Sequence, residues 1–331
     1  MSVAYIKIRS SSPPPPLIDW LYVAMSGDGS KIIITDGTDI WLSTNTGSLF
    51  SKTTMGTPSP DTGGAWEALG ASSDGTVYYG GVVVNPTQSD LFSSSDAATW
   101  TSLTTGSPAS GVGIFNNIAV SSDKTKIAFP TNATPNDVYV SSDSGSTWSG
   151  QTSGGGGSSF LAGSTTLETM LVGSTAGIPS EWVDYTINFG GSWAPAGQGT
   201  SSPDVAPLVA ASGDGVTLTA VGAISGVATT FYSTDSGSTW TAVSGPTGIA
   251  CDGLAAASAA TAIYAADGGG SVGIMKSTNG GATWAATGAP TSKIYNDVAC
   301  SSNGAVVCAV TQGQGVWIST DSGATWTETA I

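Results

Sequence analysis

The sequence predicts an all-β fold, a seven-bladed β-propeller of four-stranded antiparallel blades with an extended N-terminal arm, and three observations lead there. An octet ending in an aromatic residue returns seven times, closing at Phe50, Trp100, Trp148, Trp193, Trp240, Trp284 and Trp326. The successive spacings are 50, 48, 45, 47, 44 and 42 residues, the range of a propeller blade. Between octets the chain reads as short β-branched or aromatic runs divided by Gly, Asp, Asn and Ser, the composition of strands and turns. Finally, 46 glycines and hardly any Leu, Glu, Lys or Ala at helical spacing leave little material for helices.

The first element is residues 1–9. In this segment Ala4, Ile6 and Ile8 alternate with Val3, Tyr5, Lys7 and Arg9, which predicts a strand with one apolar face. Residues 10–16, SSSPPPP, follow as a linker. Four prolines favour a polyproline II rod of about 3.1 Å per residue, roughly 20 Å for seven residues.

Residues 17–331 hold the seven units, whose internal order is clearest in the last: NDVACSS, the turn NG, AVVCAV, a loop, GVWIST, the octet turn and TWTETAI. First strands carry small residues, as in ALGAS, LVAAS and LAAAS, because seven of them must crowd round one axis. The first hairpin turn recurs as SGDGS at 26–30, SSDGT at 72–76, SSDKT at 121–125, SGDGV at 212–216 and SSNGA at 301–305. The last unit contains all four of its strands, so the ring is expected to close with no strand exchanged between the chain ends.

The octets explain their own recurrence. Four match closely: Asp143, Gly145 and Trp148; Asp235, Gly237 and Trp240; Asn279, Gly281 and Trp284; Asp321, Gly323 and Trp326. The Asp or Asn can accept bonds from its own turn, the Gly can take a positive φ, and the Ser/Thr and Trp tie the turn to the blade. This motif resembles the Asp-box, or BNR repeat, of sialidases and related propellers. The resemblance implies a clip on the turn between third and fourth strands, away from any substrate pocket, in a family that includes enzymes, lectins and assembly factors.

Composition narrows the function. The net charge is −15, from 8 basic and 23 acidic residues, so nucleic acid would be repelled. There is no histidine, which removes the usual general base, the usual zinc ligand and every Ser/His/Asp triad. No cofactor or metal is expected. Cys251, Cys300 and Cys308 have no metal-ligand spacing. An Asn303-Gly304 turn would set Cys300 opposite Val307, with the sulfurs of Cys300 and Cys308 on opposite faces, so three buried thiols are expected rather than a bridge. No export signal is visible and IDWLYVAM is too short to span a bilayer, so membrane insertion is not expected.

A sialidase, by the resemblance, binds its substrate carboxylate with three arginines. Arg9 is the one arginine here, and it precedes the first blade. A glycosidase of another kind needs two carboxylates about 5–9 Å apart. Asp61, Asp137, Glu181, Asp184 and Asp204 are the candidates on loops, with solvated charges and turn bonds as their simpler reading; Glu181 and Trp182 beside Asp184 form the best grouping. Trp20 and Trp66 are expected before first strands and Trp41 and Trp317 within third strands, all as core. Asn132 begins an N-glycosylation sequon, and Ser12 with Pro13, Pro14, Pro15 and Pro16 resembles the extensin SPPPP unit, which implies glycosylated hydroxyprolines.

The arm carries two of the eight basic residues and no acid, leaving six bases against 23 acids, a net −17, on the remainder. A basic strand on a strut beside an acidic body with exposed blade edges suits addition to a neighbouring subunit. The expectation is therefore a non-enzymatic structural subunit of an extracellular filament or virion surface, a homo-oligomer or helical polymer built through the arm. A glycan-binding lectin or adhesin is the alternative, and a divergent glycosidase the third.

Overall fold

The computed structural model describes residues 18–53, 65–85, 88–104, 117–131, 137–153, 158–174, 183–196, 207–224, 227–329 and 331. The arm, the proline linker, Asn132, Asp61, Glu181, Trp182 and Asp204 lie outside the described residues. Among those described there is no helix, and the strands form seven four-stranded antiparallel sheets, each ordered as in the sequence.

Blade 1 runs through Tyr22–Met25, Ile32–Thr35, Ile40–Ser43 and Ser51–Lys52, and blade 7 through Tyr295–Cys300, Val307–Thr311, Val316–Ser319 and Thr327–Thr329. The remaining inner strands are Ala65–Ala71, Ala119–Val120, Ser158–Gly163, Leu208–Ala211 and Cys251–Ala256. The remaining outer strands are Thr101–Ser102, Ser149–Gln151, Ala194–Pro195, Thr241–Ser244 and Ala285–Ala286. Cys300 pairs with Val307, and all three cysteines are free thiols. Only Cys308 is fully buried; Cys251 and Cys300 are half-buried, because inner strands border the axial space.

Each sheet is sandwiched between two others, so its second strand is covered on both faces. Ile32–Thr35, Ile127–Pro130, Met170–Ser174, Ile263–Asp267 and Val307–Thr311 are buried throughout. They read as continuous apolar runs rather than alternating ones for that reason. Between blades 7 and 1 the core joins Trp20, Ile32, Ile34 and Trp41 to Cys308, Val310, Val316 and Ile318. Burying an isoleucine side chain of this kind contributes about 1.5–3 kcal/mol. Trp66 lies inside its first strand rather than before it, where it fills the space between blades 1 and 2 beside Trp100.

Among the described residues, backbone bonds join the first hairpin turns into a belt at six of the seven blade junctions, all but that between blades 2 and 3. Gly27 N–H donates to Ser73 O, Ser122 to Thr165, Thr165 to Gly213, Gly213 to Ser258, Ser258 to Ser302, and Ser302 back to Gly27, at 2.6–2.8 Å. This belt ties the end of the chain to its beginning. On the other face, Trp20 N–H donates to Thr311 O (3.1 Å) and Asn296 Nδ2 to Trp20 O (2.7 Å). Blade 7 therefore closes on blade 1 without exchanging a strand.

Candidate functional site

The octets occupy the turns between third and outer strands. Asp143 Oδ1 accepts bonds from Ser141 Oγ and Thr147 N–H, both at 2.8 Å, and Oδ2 accepts one from Thr147 Oγ1 at 2.6 Å. Ser141 Oγ in turn accepts Gly145 N–H at 2.8 Å. Asp235 and Asp321 repeat this pattern. In the Asn279 octet, Oδ1 accepts Thr283 N–H and Nδ2 donates to Thr283 Oγ1, each at 2.9 Å. The threonine hydroxyl and N–H bonds hold Asp143, Asp235 and Asp321 below the usual carboxylate range, Asp321 at about 2.

Two residues in each of the three aspartate octets, not one, have positive φ: Ser144 at 59° and Gly145 at 89°, Ser236 at 57° and Gly237 at 89°, Ser322 at 60° and Gly323 at 87°. Ser146 N–H closes the turn on Asp143 O at 3.2 Å, giving the primed two-residue turn that matches strand twist. The glycine has a second constraint. A Cβ at Gly237 would stand 2.4 Å from the Tyr185 ring of the preceding blade, and one at Gly145 would stand 3.0 Å from Leu103. Trp148 Nε1 donates to both Gly145 O (3.0 Å) and Leu103 O (2.9 Å), so the octet clips its blade to the one before.

At the opposite end of the axis, the starts of the inner strands enclose a cavity of about 220 Å³. Tyr22, Leu69, Asn117, Phe160, Leu208, Asp252 and Asp297 line it, one from each blade in turn. Asp297 Oδ2 accepts Val23 N–H (3.0 Å) and Oδ1 accepts Val298 N–H (2.8 Å), and burial pushes its carboxyl up to about 7. Burial, then the charge of Asp267, raises Asp252. Tyr22 rises to about 12 through burial, then the charges of Glu67 and Asp297. Asn117 exchanges side-chain bonds with both backbone groups of Leu161. The cavity has room for about seven waters at about 30 Å³ each, or for one small polar ligand, and Asp297 can hold or release a proton near neutrality.

The loop acids chosen from sequence do not converge there. Asp137 is 1% exposed and accepts the N–H and hydroxyl of Ser153, at 2.8 and 2.6 Å. This corrects its reading as a solvated charge: it clips the start of a third strand to the end of an outer one. Asp184 is 2% exposed within the strand Val183–Thr186, not on a loop. Trp20 precedes its first strand, and Trp41 and Trp317 lie in third strands. Sequence reading missed Glu67, Asp252 and Asp297, although each is the one acid inside a mostly uncharged first strand. Among the described residues no group of three or more His, Cys, Asp or Glu side chains is gathered to hold a metal.

No family model matches the sequence, and no curated protein matches it. Solved structures do resemble the fold. YCF48 bound to D1 peptide is similar at 16% identity with a TM-score of 0.64, over 93% of this chain and 94% of that one. Kuenenia stuttgartiensis hydrazine synthase is similar at 13% identity and a TM-score of 0.63, over 99% and 100%. An ancestral GH74 enzyme is similar at 16% identity and a TM-score of 0.66, over 96% of this chain but 47% of the enzyme. At such identities the likeness is one of fold, and these neighbours differ widely in what they do: the chain is a seven-bladed β-propeller.

Proposed function

We propose that the octets are Asp-boxes and that this propeller is a non-enzymatic structural subunit, assembled through its N-terminal arm into an extracellular filament or virion surface. One observation carries the reading: the ring is complete without residues 1–17. Blade 7 has all its own strands, blade 1 pairs Tyr22–Met25 with Ile32–Thr35, and the belt of turn bonds closes between Ser302 and Gly27. A segment with the sequence pattern of a strand is thus not needed to complete the ring, which supports its pairing with a neighbour. The octet carboxylates spend most of their acceptor capacity on their own turns, and the one arginine lies outside the blades, which argues against a sialidase-like site.

Removing residues 1–9 should leave a folded monomer that no longer polymerises, and Ile6→Asp should act alike by placing a charge in a dry contact. Sedimentation and negative-stain microscopy beside the intact chain check this. An intact chain that stays monomeric would refute assembly. The axial cavity favours a second reading, a glycan-binding lectin, since every blade contributes to it. A glycan array on the body separates the two, because a specific sugar hit requires the lectin.

A further inference from the structure

The seven outer strands read SK, TS, SGQ, AP, TAVS, AA and TET, and Glu328 in blade 7 is the one acid among them. It forms no ion pair among the described residues, whose pairs are Lys52–Asp39, Lys124–Asp74 and Lys126–Glu168, and Lys293 lies over the ring of its cross-strand partner Trp317. Beside this strand, between blade 7 and the octet turn of blade 1, runs a groove of about 320 Å³ lined by Gly47, Ile318, Thr327, Thr329 and Glu328 at its rim, among others. A similar groove between blades 6 and 7 contains Lys276 together with Asp321, so a cation already stands there beside the acid.

The two faces of this edge differ in character. Successive strand residues point to opposite sides. Thr329 Oγ1 donates to Gly47 O, and Ile318, the partner of Thr327, packs with blade 1, so one side is the groove, with Ile318, Thr327 and Thr329 in its lining. Glu328 pairs with Trp317, which packs on the blade 6 side. The edge thus offers a threonine-rich side with Ile318 beneath it, and a side carrying Glu328 next to Trp317, over whose ring Lys293 Nζ lies at 5.6 Å. In the sequence of residues 3–9, Ala4, Ile6 and Ile8 alternate with Val3, Tyr5, Lys7 and Arg9, the pattern of a strand with one apolar side and one that carries both basic residues.

Resting on the assembly reading above, we infer that the arm of a second copy adds as a fifth strand to Thr327–Thr329, with its isoleucines over the groove and Lys7 or Arg9 against Glu328. The chain supports this by where it enters the ring. Ile18 and Trp20 lie at the same junction of blades 7 and 1 but on the opposite end of the axis from the octets, held to Thr311 and Asn296. The chain before Ile18 therefore departs from that end, and a seven-residue proline-rich segment can span roughly 20 Å when extended, enough to reach the octet face of a copy stacked above. Arm exit and groove at opposite ends of the axis make the contact heterologous, which builds a filament wherever the rotation between copies does not close a ring.

The test is a charge exchange in the full chain, read by sedimentation at low salt with melting temperature as the folding control. Glu328→Lys alone, and Lys7→Glu with Arg9→Glu alone, should each raise the concentration needed for assembly about tenfold, whereas the triple variant should restore it to within a few-fold. Glu328→Gln should have a smaller effect than Glu328→Lys. If Glu328→Lys assembles normally, or the triple variant is not rescued, the arm docks elsewhere; should arm removal still abolish polymers, the assembly reading stands while this site falls. Charge variants that shift only the monomer's melting temperature would mean the arm lies in its own groove, which also overturns the inference.

Discussion

Asp143, Asp235 and Asp321 act on their own turns, and their titration is accordingly a property of the fold. Replacing Asp143 or Asp321 by Ala should lower the melting temperature by roughly 2–4 °C without altering any ligand binding at the axis, checked by thermal melts beside a binding assay. The depressed carboxylates contribute stability that is complete above the ordinary value near 3.9 and lost as pH falls through the folded value, about 2 for Asp96 and Asp321. Asp297 works in the other direction. Its folded value of about 7 means that its contribution is complete below about 4 and lost as pH rises towards and through 7. Melts from pH 2 to 8 should therefore show greatest stability in mildly acidic solution, and Asp297→Asn should flatten the decline between pH 4 and 7; an unchanged slope would deny Asp297 this role. At this scale the sequence disclosed the octet aspartates and glycines, because their neighbours recur. It concealed the positive φ of Ser144, Ser236 and Ser322, which serine composition does not signal, and Asp297, whose enclosure depends on all seven blades.

Strands and turns were legible wherever a side-chain pattern marks them. Blade count, strand order and the placing of Trp41 and Trp317 in third strands followed from turn spacing alone. Outer strands proved only two to four residues long, shorter than TWTETAI suggested, which limits the edge each blade exposes. The belt linking first hairpin turns left no mark, since its bonds join backbone groups of different turns. Small side chains are nevertheless a condition of it: a Cβ at Gly213 would meet Ser258 Cβ and Thr165 Cγ2 at 2.9 Å, and one at Gly27 would meet Ser73 Oγ at 2.5 Å. Gly213→Val should cost about 1–3 kcal/mol through overpacking, measured by denaturant unfolding. Valine suits this test because it adds bulk without a hydroxyl that could rejoin the belt.

Over the whole molecule, each blade leans on the next and the last leans on the first, so the position of the chain ends is arbitrary to the ring. Ile331 follows an outer strand and Ile18 precedes an inner one, the same relation that residues 287–294 bridge between blades 6 and 7. A circular permutant joining the two ends by a short linker and opened between exposed Thr291 and Ser292 should fold with a melting temperature within a few degrees of the parent; failure to fold would show that closure depends on chain order. The entry of the chain has a mechanical consequence as well. The N-terminal segment feeds directly into an inner strand, so tension arriving through it acts along the axis of Tyr22–Met25. Four pairs with Ile32–Thr35 must then shear together, and Trp20 is anchored besides to Thr311 and Asn296. Pulling from an outer strand would peel a short ladder one pair after another. A load applied through the N-terminus is thus taken at the hub of the wheel, where the molecule is hardest to tear.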